Sequence, residues 1–424
     1  MYGKHIRRKT VFLFLFITVF LLVYIKGANF LAISKLGIDV KKWFLLSQIN
    51  DSRHQLQTFK MINIEIQKKR KDDIYAYCKA TRVPKTSANS TVPLIYNNNY
   101  SLCYFDMPKI GSTFIKQMFS VLKHGVEYAK NNFSISRNKV HSGVQTRERF
   151  HYNDTLEKTL TIVPVRNPYS RLFSAFIDKV YLLSSVDLRL KIIANKYQYS
   201  LSDLKDLAQP GYNYTSELSV TFQDFLDYAL SPRAEKNILY DHYSRCFTRL
   251  QLLICNSNRY IVVKQESFET DIQHVLQSVG IDTAQPKIYN RIIKSLHESR
   301  VEDNIPGIVK VTFHFAGRHA ELWNGPIVAE RLWHSFQIQG YVSKNTPFPK
   351  RYFNSKNTYM NSNTTLTIFL HEMQKGKLSR SESLIQRKEA MLNAYKCLPK
   401  SVIRKIQALY DCDFKAFGYD KTLM

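Results

Sequence analysis

The sequence predicts an α/β fold, a parallel β-sheet flanked by helices, and one pattern met at three places carries that prediction. An apolar run, a tight turn and then apolar residues at helical spacing follow one another at residues 102–122, 160–180 and 259–279. Strands apolar on both faces that alternate with helices indicate a parallel sheet covered on both sides.

In the first unit Leu102–Phe105 (LCYF) is a buried-type strand and MPKIGST is the turn. Phe114, Ile115, Met118, Phe119 and Leu122 then mark one helix face. In the second, Leu160–Val165 (LTIVPV) is followed by RNP and by Tyr169, Leu172, Phe173, Phe176 and Val180 at helical spacing. Pro164 removes a ladder donor and belongs at an edge or a strand end. In the third, RYIVVK precedes a helix with Ile272, Val275, Leu276 and Val279 inward and Gly280 as its stop. Residues 283–390 mix helical patches (Ile288 to His297, Leu366 to Met373) with Pro-interrupted loops and read as an insertion. Val402, Ile403, Ile406, Leu409 and Tyr410 form a closing helical stripe.

The N-terminus sets the compartment. Lys4, Arg7, Arg8 and Lys9 precede the uncharged run Val11–Ile25, and positive residues stay on the cytosolic side. The expected organisation is a cytosolic tail at 1–9, a single transmembrane signal anchor at 10–25, a luminal stem at 26–99 and the folded domain at 100–424. A cleaved signal ending near Ala28 is the alternative. The N-x-[ST] sequons at Asn50, Asn89, Asn99, Asn132, Asn153, Asn213 and Asn363 agree with luminal residence. The six cysteines include no C-x-x-C pair, so structural disulfides are expected over a zinc site, with the pairing left open. The run Lys68, Lys69, Arg70, Lys71 reads as a solvated helix face. A formal charge of +27 calls for a polyanionic partner; luminal topology favours an acidic glycan over nucleic acid.

The first unit has the P-loop-like order strand, loop, helix. A helix N-terminus presents N–H groups and a positive dipole end to an anion, and Gly111 allows close backbone approach. Ser112 and Thr113 add hydroxyl donors and Lys109 a mobile cation. A nucleotide-hydrolysing loop would place Lys after its second Gly, whereas Lys109 precedes the only Gly. In the second unit Arg166 ends the strand and Ser174 lies in the following helix, placed to grip a further phosphate.

PKIGST joined to VRNPYSRLFSAFIDKV resembles the 5′-phosphosulfate and 3′-phosphate elements of the Golgi carbohydrate sulfotransferases. Within these it is most similar to the group with chondroitin and dermatan 4-O-sulfotransferases and the glucuronyl sulfotransferase of neural glycans. The stretch from Asp241 through Cys246, Cys255, Tyr260, Lys264 and Glu266 to Asp271, and the ending Tyr410, Asp413, Phe414, Phe417, Gly418, Tyr419, look like further segments of that group. The resemblance covers about residues 100–280 and 399–419. Phe114, Ile115 and Lys116 depart from the usual residues after the loop, and the cysteine spacing is opened to Cys246 and Cys255.

The resemblance implies 3′-phosphoadenosine 5′-phosphosulfate (PAPS) as sulfuryl donor, no metal, and in-line displacement at sulfur by a glycan hydroxyl in the Golgi lumen. It implies donor binding by Pro108, Lys109, Ile110, Gly111, Ser112, Thr113, Arg166 and Ser174. Lys109 would stabilise developing charge, while Arg171 would either assist or brace the loop. A poor hydroxyl nucleophile calls for a general base. His141, between the two anion elements, is the first candidate, followed by His151, His242 and Glu127. The acceptor expected from the basic composition is an acidic glycosaminoglycan or glycoprotein glycan. An inactive, membrane-tethered binder of acidic glycans on the same fold is the alternative.

Overall fold

Strands β1 (Thr91–Asn97), β2 (Leu102–Phe105), β3 (Arg147–His151), β4 (Leu160–Val165) and β5 (Tyr260–Lys264) form one sheet in the order β3-β1-β2-β4-β5 in a computed structural model. The structure describes residues 52–83, 91–129, 147–151, 158–182, 185–198, 220–298, 301–318, 325–353 and 361–423. The expected tail and anchor at 1–25 lie outside these. Among the described residues no helix is long and apolar enough to cross a membrane.

The helices are α1 (Ser52–Thr81), α2 (Ser112–His124), α3 (Pro168–Phe176), α4 (Val186–Tyr197), α5 (Phe222–Ala229), α6 (Cys246–Ile254) and α7 (Phe268–Ser278). They continue as α8 (Pro286–His297), α9 (Val301–Gly317), α10 (Gly325–Ile338), α11 (Ser362–Met373), α12 (Arg380–Lys396), α13 (Lys400–Leu409) and α14 (Asp411–Ala416). The chain divides into two units, 1–69 and 70–424. Of the first, the described residues are the N-terminal part of α1; the sheet and the site belong to the second.

The two-faced apolar strands behave as their period of two requires. Leu102, Tyr104, Ile162, Ile261 and Val263 face a core built with α2, α7 and α8. Their neighbours Cys103, Phe105, Val163, Val165, Tyr260 and Val262 face the opposite core, built with α6. A third, all-helical core joins Tyr169, Leu172 and Phe176 of α3 to Phe225 of α5, Trp333 and Phe336 of α10, Phe369 of α11 and Tyr395 of α12.

The sheet is mixed rather than parallel throughout. β2, β4 and β5 run parallel as expected, whereas β1 pairs antiparallel with both β2 and β3. β3, at the end of the strand order among the described residues, has the sequence RERFH, which gives no apolar signal. Pro164 is the penultimate residue of β4, opposite Val263 and beyond the last β2 pair at Ile162.

The stem boundary drawn at residue 99 falls inside the folded body. β1 is hydrogen-bonded into the sheet, and α1 from Arg70 onward is fastened to it. Arg70 donates to the Val262 carbonyl (2.8 Å), to Asp271 Oδ1 (2.8 Å) and to Ser267 Oγ (3.0 Å). Ile74 is fully buried and Cys78 is disulfide-bonded to Cys255. Arg70 is therefore no member of a solvated charge run: a buried carboxylate holds its guanidinium in place.

The cysteines form one disulfide, Cys78–Cys255, and four thiols: Cys103 and Cys246 buried, Cys412 half-buried, Cys397 exposed. Cys103 lies in a central strand 3.1 Å from Thr161 Oγ1, a core position rather than a crosslink. Of the sequons, Asn99 and Asn363 stand exposed; the other five lie outside the described residues. Residues 283–390 supply α8 to α11 and the start of α12. Their side chains Ile305, Val309, Trp333 and Phe369 share a core with α3, so the segment is no separate excursion.

Candidate functional site

Adjacent parallel strands deliver the loops that follow them to the same edge of a sheet, where ligands of α/β folds bind. β2 and β4 are such neighbours, so the loop 106–111 and the turn 166–167 meet. Met107 and Ile110 are fully buried and anchor the first loop, which leaves Pro108, Lys109, Gly111, Ser112 and Thr113 at the partly open surface. The Ile110 side chain thus faces the core.

Lys109 and Gly111 both have φ of +69°, the left-handed region that costs a non-glycine residue about 1–2 kcal/mol. The need for glycine at 111 is twofold. A Cβ there would stand 2.7 Å from Cε2 and 2.9 Å from Cζ of Phe268. The Phe268 ring is held by an edge contact with Phe114, centroids 5.5 Å apart, which accounts for the phenylalanine that departs from the family pattern. Lys116, another departure, is buried and ion-paired to Asp106 at 2.9 Å. α2 starts at Ser112 with its N-terminus at this loop, so its first N–H groups and its dipole point out of the sheet edge.

Arg166 ties the two anion elements together. Its guanidinium donates from Nη1 to the Lys109 carbonyl at 2.9 Å and from Nε to Ser170 Oγ at 2.6 Å. Asn167 caps α3 by accepting from the N–H groups of Tyr169 and Ser170, and Pro168 occupies the first turn. Glu266 accepts from the Asn167 N–H (2.9 Å) and from the Tyr419 hydroxyl (2.9 Å), so the C-terminal segment closes onto the same turn. Burial, aided by Arg387, lowers the Arg166 proton affinity to about 10, which leaves it charged at neutral pH. Ser174 is half-buried on α3, one turn beyond Ser170 and on the same stripe. Ser170 was missed from sequence, although its spacing of four from Arg166 could have found it.

Lys109 is not a mobile cation. Its ammonium is 2.9 Å from Asp178 Oδ2, and Lys179 lies 3.4 Å from the same oxygen. Asp178 and Lys179 sit in a π-helical turn, Ile177–Tyr181, that continues α3. Such turns are frequent at functional sites. Sequence periodicity gave no sign of this pair, because a π turn changes which residues share a face.

Arg171 braces this side of the site. It is buried and donates to the carbonyls of Pro108 (3.5 Å), Asp241 (2.5 Å) and Ser244, and to Met107 Sδ (3.4 Å). One guanidinium thereby fixes residues 241–244 against the Lys109 loop. His242, between these carbonyls, is pushed down to about 2 by burial, then by Lys179 and Lys109, so its imidazole is neutral. Its Nδ1 is buried with no hydrogen-bond partner among the described residues.

The other base candidates fare differently. His141 lies outside the described residues. Glu127 is exposed in the turn after α2, about 20 Å along a helix of 13 residues from the anion loop. His151 ends β3 on the same sheet edge as the loop, two strands from β2. Among the described residues no group of three or more His, Cys, Asp or Glu gathers as a metal site.

Comparison with known proteins bears on this geometry. The model described as "Sulfotransferase family" matches residues 92–309, from β1 into α9, and so includes both anion elements. Carbohydrate sulfotransferase 12 of Mus musculus is 24% identical over 228 residues, which cover 48% of this chain and 53% of the relative. The chain thus spans about half the length of the curated relative it matches. No solved structure matches at a significant level. With the family match extending over more than half of its residues, the chain belongs to the sulfotransferase family.

Proposed function

We propose that the protein transfers the sulfuryl group of PAPS to a hydroxyl of a glycan in the Golgi lumen, as a single-pass type II membrane protein. The acceptor is an acidic glycosaminoglycan or glycoprotein glycan, in keeping with the +27 charge. The observation that carries the reading is the Arg166–Lys109 hydrogen bond. It joins two cups, residues 109–113 and 166–174, that suit opposite ends of one donor with two anionic groups. Their chemistry fits that donor: backbone N–H groups, hydroxyls, a lysine and an arginine, with Asp178 and Glu266 reaching in from outside the two segments.

In this reading the N–H groups of Gly111, Ser112 and Thr113 and the Lys109 ammonium hold the phosphosulfate end. Arg166, with Ser170 and Ser174 on the same helix stripe, holds the 3′-phosphate. The bond from acceptor oxygen to sulfur forms as the bond from sulfur to phosphate oxygen breaks, and the electron pair stays on the departing adenosine 3′,5′-bisphosphate. Lys109 and the helix N-terminus stabilise that charge by preorganised electrostatics. Removing one such donor typically costs ~10²–10³ in kcat.

The test is transfer from radiolabelled PAPS to a panel of desulfated glycans by the full-length chain. Lys109→Ala and Arg166→Ala are each expected to abolish transfer while the protein still folds. Retained transfer in either variant sinks the reading.

A further inference from the structure

We propose that His242 is the base that takes the proton from the acceptor hydroxyl, from its place between the Lys109 loop and the π turn of α3. The assignment rests on the donor reading above and adds the acceptor half of the reaction.

Position comes first. Arg171 holds the carbonyls of Asp241 and Ser244 together with that of Pro108, so the two residues between the first pair, His242 and the buried Tyr243, are held beside the residue that precedes Lys109. The groups that face His242 come from three elements. They are Lys109 of the loop, Arg171 of α3 with Asp178 and Lys179 of its π turn, and Asp241 of its own turn. Asp241 Oδ1 lies 3.9 Å from His242 Nε2, and Arg249 of α6 is 3.4 Å from Asp241 Oδ2. The imidazole is mostly enclosed, with about a fifth of its surface open.

Chemistry comes second. A base must be unprotonated before it acts, and burial first, then three neighbouring cations, keep His242 in that form. The same cations would oppose the imidazolium that proton transfer creates. An anionic phosphosulfate beside Lys109 offsets them, and Asp178 and Asp241 add to that, so the base strengthens when the donor is in place. Coupling of this kind favours proton removal in the ternary complex. The proton passes from the hydroxyl to the imidazole while the oxygen bonds to sulfur. The imidazolium returns it to water after the bisphosphate leaves.

The test compares the full-length wild type with His242→Gln and His242→Asn. Binding of adenosine 3′,5′-bisphosphate should stay within about twofold in both variants, while kcat falls ~10²–10⁴-fold, the range of general-base catalysis. The wild-type kcat should show an acid limb displaced below the ordinary histidine value of 6.5, because burial and the neighbouring cations depress the imidazole and the bound donor offsets only the cations, and the variants should lack that limb. Variants within about threefold of wild-type kcat overturn the assignment, as does loss of the acid limb in His141→Gln while the His242 variants keep it. A wild-type kcat with no acid limb at any pH where the protein stays folded and binds the bisphosphate overturns it even if neither variant folds. Failure of the wild type to bind the bisphosphate sinks the donor reading instead, so the two failures are separable.

Discussion

Replacing Arg166 by lysine keeps the charge and removes the fork, which isolates what the guanidinium does. In the structure two of its nitrogens are committed, Nη1 to the Lys109 carbonyl at 2.9 Å and Nε to Ser170 Oγ at 2.6 Å. A single ammonium cannot span both partners and also face a phosphate. Each charge-assisted bond is worth about 1.5–3 kcal/mol, so losing one of the two, with partial loss of the phosphate contact, gives about 2–4 kcal/mol. At about 1.4 kcal/mol per tenfold, affinity for adenosine 3′,5′-bisphosphate should fall ~30- to 1,000-fold in Arg166→Lys. Arg166→Ala should lose at least as much, because the Lys109 loop also loses its tie. Calorimetric titration of the full-length chain measures this directly. An Arg166→Lys protein that binds within about threefold of wild type would show that charge alone suffices and that the bridge between the cups is incidental.

Gly111→Ala combines a left-handed backbone, about 1–2 kcal/mol, with crowding against Phe268, about 1–3 kcal/mol, so bisphosphate binding should weaken at least ~10-fold. Adding Phe268→Leu should recover only the crowding part, and full recovery would contradict the backbone argument. Cys78→Ser or Cys255→Ser opens a crosslink between residues 177 apart and should lower unfolding stability by about 2–5 kcal/mol, read as a shifted urea midpoint. Cys397→Ser, an exposed free thiol, serves as the control and should leave the midpoint in place. Lys264 is pushed down to about 8, by burial first and by Arg70 next, from an ordinary 10.5. The unfolded chain then binds the extra proton between those values, so stability contributed at this site rises with pH across that window. Between pH ~7.5 and ~9.5 the wild type should gain about 2 kcal/mol relative to Lys264→Met, and a parallel pH dependence of the two proteins would refute it.

The parallel half of the sheet was legible because β2, β4 and β5 are apolar on both faces, and only strands buried on both sides need that pattern. The antiparallel half was hidden. β1 carries Pro93 and follows a polar stretch, and β3 has the charged sequence RERFH. The docked part of α1 was hidden for a related reason: Arg70, Ile74 and Cys78 are one helical stripe, but the lysines around them dominate the composition. Lys109 to Thr113 and Arg166, which the structure brings together at one sheet edge, were nominated from sequence because a strand, a turn and a helix N-terminus have local signatures. Asp178, Lys179 and Ser170 were not, since their roles depend on what a long-range fold lays beside them. Arg171 could be either assistant or brace in the sequence, and its donation to three carbonyls makes it the brace.

The electrostatics of the site point the same way as its geometry. Arg166 is depressed by burial and by Arg387 and Arg171, and His242 by burial and by Lys179, Lys109 and Arg171. The cations around Arg166 and His242 are held together against their repulsion by the fold, through the Arg171 brace and the packing of α3. Asp178 compensates in part by pairing with both lysines. A bound dianion would interact favourably with every one of these cations at once, whereas a neutral ligand would relieve none of the repulsion. Shared relief also makes the cations interdependent, so losses from removing Lys109 and Arg166 together should not sum. On the proposed reading a phosphosulfate would compete with Asp178 for Lys109, and the carboxylate would remain beside Lys179.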